Sequence, residues 1–110
     1  MTSLLDSLLA DTIERLIRIA NPDRIVQLGH PVSGESRTDE EVLLLIIVPG
    51  CFDETRTRWD EAKRLRAALP SYPLRCNLVL FTAEQFDRFR HYPNHLIAEA
   101  LRDGEVVFER

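Results

Sequence analysis

The sequence predicts an α/β (α+β) fold, a small mixed β-sheet of three to four strands packed with helices. Three observations predict it. The run VLLLIIV, Val42 to Val48, is apolar on both faces, as a central strand covered on both sides must be. The run LRCNLVLF, Leu74 to Phe81, is a second strand of the same kind. The stretch between them, from about Thr55 to Leu69, has helical character, and a strand–helix–strand crossover places its two strands parallel.

The other elements follow in chain order. Leu4, Leu5, Leu8, Leu9, Thr12, Ile13, Leu16, Ile17 and Ala20 fall on one stripe at helical spacing, with Asp6, Asp11, Glu14, Arg15 and Arg18 outside it. Thr2 or Ser3 can cap this first helix, and Asn21-Pro22 ends it. Arg24 to Leu28 reads as a short strand closed by Gly29. The polar connection PVSGESRTDE is short enough to favour an antiparallel pairing of this strand with the next. In the crossover helix the apolar side is Trp59, Ala62, Leu65, the stem of Arg66 and Leu69, with Pro70 and Pro73 beyond it. Thr82 followed by Gln85 is a capping-box pattern opening another helix, which places Phe86 and Phe89 in the core or an interface. Pro93 ends that helix, Asn94 can cap a last one through about Arg102, and Gly104 is its stop. EVVFE is a closing strand or an extended tail.

Length and composition restrict the function classes. The 110 residues suit a single domain, 1–110, with a core of its own. A net charge of -4 argues against nucleic acid as a general partner while leaving room for a local basic patch. Cys51 and Cys76 form no Cys-x-x-Cys motif and read as reduced thiols. The first residues carry Asp6 and Asp11 among leucines and no basic leader, and no stretch reaches membrane-spanning length, so a cytoplasmic protein without membrane contact is expected.

The candidate chemistry lies in LGHPVSGESRTDEEVLLLIIV, Leu28 to Val48. With the leading helix, NPDRIVQLG, the spaced glycines Gly29 and Gly34, NLVLFTAEQFDRF and LIAEALRDGEVVFER, the chain resembles the minimal nucleotidyltransferases (MNT type) of the DNA polymerase beta superfamily, often paired with HEPN proteins. The resemblance covers nearly the whole chain and rests on order and spacing together. It implies a Gly-Ser turn that receives phosphate, an Asp-x-Asp pair entering a hydrophobic strand, and a third Asp on the next strand. Such carboxylates hold two divalent ions that activate the attacking hydroxyl and clamp a triphosphate. Alternation along a strand puts both members of Asp-x-Asp on one face.

At every chemical position this sequence differs. His30 follows Gly29 where serine belongs, Glu41 and Leu43 stand at the paired aspartates, and Asn77 stands at the third. Gly29, His30 and Gly34 are thus a vestigial nucleotide-binding loop, and Glu41, Leu43 and Asn77 vestigial catalytic positions. Leucine cannot ligate a metal, and a single carboxylate does little to offset the repulsion and dehydration of two divalent ions. The expectation is a pseudoenzyme without cofactor, acting as a binding or regulatory partner of a HEPN-type protein, antitoxin-like, or of a second copy of itself. The alternatives are an active transferase moving a nucleoside monophosphate from ATP to a protein or small molecule with Mg, or a nucleotide-binding sensor. The active reading needs Glu41 with Asp39 or Asn77, since Asp39-x-Glu41 also puts two carboxylates on one strand face. Arg75, two residues before Asn77, is a candidate counter-charge for Glu41.

Other polar groups read as structural. Pro93 separates His91 from His95, so the pair does not share a helix face as a metal site would require. Arg56, Arg58, Lys63, Arg64 and Arg66 read as a solvated helix face, and Trp59 as a core residue.

Overall fold

The computed structural model describes residues 4–29, 42–69 and 76–110. The expectations for Thr2, Ser3, His30, Gly34, Asp39, Glu41 and Arg75 lie outside the described residues. The elements are α1 (Leu4–Ala20), β1 (Arg24–Leu28), β2 (Val42–Val48), α2 (Arg58–Ala67), β3 (Cys76–Thr82), α3 (Ala83–Phe89), α4 (Leu96–Asp103) and β4 (Glu105–Glu109). The four strands form one sheet in the order β3-β2-β1-β4. β1 is antiparallel to both β2 and β4, and β2 is parallel to β3, so the predicted mixed sheet is present with its crossover helix.

Alternation along the strands divides the core in two. On one face Ile25, Leu44, Ile46, Leu78 and Leu80 meet Leu9 and Leu16 of α1 and Leu65 of α2. On the other Val26, Leu45, Ile47 and Phe81 meet Phe86 of α3 and Ile97 and Ala100 of α4. β2 is therefore covered on both sides, which explains its uninterrupted apolar sequence. Each fully buried aliphatic side chain contributes about 1.5–3 kcal/mol of transfer free energy. The α1 stripe behaves as its spacing predicts, with Leu9, Thr12, Leu16 and Ala20 buried and Asp11, Glu14, Arg15 and Arg18 exposed. The helix stops at Asn21, whose φ of 47° cannot continue it.

Thr82 caps α3 with the reciprocal Gln85 bonds of a capping box. α4 departs from expectation at its start and ends at Gly104 as expected. His95 caps it in place of Asn94, its Nδ1 accepting from the Ile97 N–H at 3.1 Å. Gly104 closes it at φ -94°, outside the left-handed region, so glycine is not there for its conformational freedom. A Cβ at that position would lie 2.6 Å from the Ala100 carbonyl oxygen and 2.8 Å from that of Gln27. The requirement is space, where α4 turns over β1 into β4.

Trp59 is not a core residue: it is 81% exposed. α2 is shorter than the predicted helix, starting after its cap Thr57, and it anchors through Leu65 with Glu61 also turned inward. At about 100° per residue, Trp59 sits roughly 120–160° round the helix from those two. The carboxylate of Glu61 took the inward place that hydrophobicity alone assigned to the indole. Arg66 is exposed as well.

Candidate functional site

β1 ends where β2 and β3 begin, and there the sheet aligns three positions in one row. Leu28 pairs with Leu43 across the antiparallel ladder, and Leu43 pairs with Asn77 across the parallel one. Directly paired residues project from the same face. Alternation from Val26, Leu45, Ile47 and Phe81 puts this row on the face covered farther along by α3 and α4. At the end of the sheet that cover thins, leaving Leu28 and Leu43 half-buried and Asn77 exposed.

Gly29 follows Leu28 with φ 83°, a left-handed conformation that glycine adopts without steric cost. The Gln27 side chain, 6% exposed, braces this exit by donating from Nε2 to the Gly29 carbonyl oxygen at 2.8 Å. The strand thus ends at a left-handed glycine at the place where the sequence pattern puts a loop. Leu43 and Asn77 are brought side by side, with Gly29 one residue beyond their neighbour Leu28. His30, Gly34, Asp39 and Glu41 lie outside the described residues.

The row offers one amide and two leucines. An amide oxygen can accept a hydrogen bond or serve as a neutral ligand, but it neither shuttles a proton nor neutralises a cation. Cys76, beside Asn77, is half-buried, and burial pushes its thiol up to about 11. It is a protonated thiol at neutral pH and a poor nucleophile.

Two charged arrangements were not legible in the sequence. Around α2, Glu61 is 6% exposed and accepts from Arg56 Nε at 3.3 Å and Arg64 Nε at 3.1 Å, with Arg64 Nη2 closing a second contact. Burial pushes this carboxyl up, and the Arg64 and Arg56 guanidiniums outweigh it, holding the group below its ordinary value. Two cations of the supposedly solvated face are therefore internal partners. The spacing of three from Glu61 to Arg64 was a usable signal once Glu61 is known to point inward, whereas Arg56 precedes the helix and reaches Glu61 only through the fold of the turn before it.

The second arrangement is a cleft of about 280 Å³ at the opposite end of the sheet, lined by Arg24, Ile47, Phe86, Arg90 and Glu109 among others. Arg24 lies 4.8 Å over the Phe86 ring and bonds Glu109 at 2.8 Å, while Arg90 lies 5.2 Å from the same ring. Its charges compensate one another, so it presents a packed ion-pair surface. No local pattern announces it, because Arg24 and Glu109 meet only when β4 pairs with β1.

The histidines are not a joint site. His95 is committed to its cap and stacks on Phe89 at 4.4 Å between ring centroids, while His91 is exposed in the preceding turn. Among the described residues no helix is long and apolar enough to cross a membrane. Compared with known protein families, curated proteins and solved structures, the chain matches none.

Proposed function

We propose that the chain is a nucleotidyltransferase-fold protein with a vacated catalytic site, acting in the cytoplasm as a binding or regulatory partner. Its partner is a HEPN-type protein, antitoxin-like, or a second copy of itself. One observation supports this reading above the others: Leu43 and Asn77 are directly paired on adjacent strands. In the resembled family those two positions carry carboxylates, and adjacent strands lie about 4.8 Å apart, close enough for two such groups to share an ion. A leucine and a neutral amide at that spacing hold no divalent pair. The apolar side chain there adds burial instead of the repulsion that clustered carboxylates create without metal.

The test is a magnesium and ATP titration followed by transfer of label from radioactive ATP. Expected are no magnesium-dependent transfer and no effect of Glu41→Ala. Leu43→Asp combined with Asn77→Asp should gain magnesium binding in a folded protein. Magnesium-dependent transfer that disappears in Glu41→Ala overturns the reading in favour of an active transferase. A higher melting temperature with ATP, without turnover, makes it a nucleotide sensor.

A further inference from the structure

The one large aromatic residue that α2 leaves in solvent stands among cations. Trp59 is 81% exposed, and Lys63 and Arg66 follow it at four and seven residues, on the same side of the helix. The three span about 10 Å along the axis at 1.5 Å per residue. Arg58, one residue before Trp59, is held over two rings, with its guanidinium carbon 5.1 Å from the Phe81 centroid and 5.8 Å from that of Phe52. Arg56 and Arg64 are drawn to Glu61, whereas Arg58, Lys63 and Arg66 form no ion pair among the described residues. Asp60 beside them offsets only part of that charge.

We propose that this outward face of α2 binds single-stranded nucleic acid, with a base stacked on Trp59, phosphates on Lys63 and Arg66 beside it, and a third on Arg58 at the start of the helix. An open indole face accepts any base, and neighbouring cations follow the phosphate chain. A protein docking site fits the face less well. A protein hot spot centres its tryptophan in a well-packed patch that excludes water. Among the described residues the other large exposed hydrophobics are Tyr92 and Val106, neither of them on α2. A two-fold dimer through α2 would set cations against cations. The acidity of the whole chain, net -4, restricts binding to this face, and the phosphate contacts there make it salt-sensitive.

Trp59 is the single tryptophan of the chain, so its emission reads the site directly. Titration of the full chain with decauridylate or decathymidylate at low salt should quench that emission. The logarithm of affinity should fall with the logarithm of salt concentration at a slope of about -2, as for three phosphates on a single strand. Anisotropy of fluorescein-labelled decauridylate, which needs no tryptophan, should show at least tenfold weaker binding for Trp59→Ala and for Lys63→Glu with Arg66→Glu. Arg102→Glu, an exposed change on α4, should bind as the parent does, and circular dichroism should be unchanged in all variants. Absence of quenching at low salt overturns the proposal, as does quenching that survives charge reversal. Self-association lost in Trp59→Ala, without oligonucleotide binding, reassigns the face to a second copy of the chain.

Discussion

Alanine at position 104 adds one methyl group where the backbone leaves no room. The added carbon would sit 2.6 Å from the Ala100 carbonyl oxygen, 2.8 Å from the Gln27 carbonyl oxygen and 3.0 Å from a Val26 methyl. Two of these neighbours are main chain, one in α4 and one in β1, so relief requires separating the helix end from the strand. The Gly104 N–H also bonds the Ala100 carbonyl at 2.8 Å, and that separation strains this bond. Overpacking of this kind costs about 1–3 kcal/mol, and loss of the cap bond about 1 kcal/mol more. We expect Gly104→Ala to lower stability by about 2–4 kcal/mol in urea denaturation, with an unchanged m-value. The melting temperature should fall by on the order of 10 °C for a domain of this size. Gly104→Asn separates two explanations. If glycine served a left-handed cap, asparagine would be the mildest replacement; because φ is -94°, asparagine should be at least as harmful as alanine. A loss below about 0.5 kcal/mol for Gly104→Ala, or a clear advantage for asparagine, refutes the close-approach argument.

Three further outcomes follow from the same structure. Glu61→Gln should destabilise by about 1–3 kcal/mol at pH 7, because it removes the charge that Arg56 and Arg64 face. The Glu61 carboxyl is held below its ordinary 4.5, so its contribution is complete above that value and disappears as pH falls through the folded-state value. Urea titrations of parent and variant should converge as pH falls below 4.5, and a constant gap would count against the ion triad. Thr82→Ala removes the acceptor for the Gln85 N–H at 3.1 Å and should cost about 1 kcal/mol by thermal melting; no change would mean that the capping box contributes nothing measurable. Under native conditions at pH 8, iodoacetamide should label exposed Cys51 well before Cys76, whose buried thiol is pushed up to about 11. Equal rates, read by mass spectrometry of the peptides, would contradict that burial.

The features the sequence determined by itself are those set by local chemistry and repeated burial. VLLLIIV is central because no other place accepts an unbroken apolar strand, and the limits Val42–Val48 and Arg24–Leu28 are those of β2 and β1. The α1 stripe is a period of 3.6 against one core face, and Thr82 with Gln85 caps α3 through bonds only three residues apart. The direct pairing of Leu43 with Asn77 lay beyond the sequence, since alternation tells which residues of one strand share a face and not which residues of two strands pair.

Tertiary structure decided the positions where two residue types compete for one place or where distant segments meet. Glu61 turned inward because Arg56 and Arg64 compensate its burial, and that displaced Trp59 into solvent. His95 displaced Asn94 as the α4 cap because its ring also stacks on Phe89 and meets the edge of Phe81. Gly104 is needed because β1 passes beneath the end of α4, and Arg24 meets Glu109 because β4 returns along β1. Hydrophobic period and capping act over a few residues, so one strand of text carries them. Charge compensation, ring stacking and backbone clearance act between segments as far apart as Arg24 and Glu109, and only the folded chain brings those segments together.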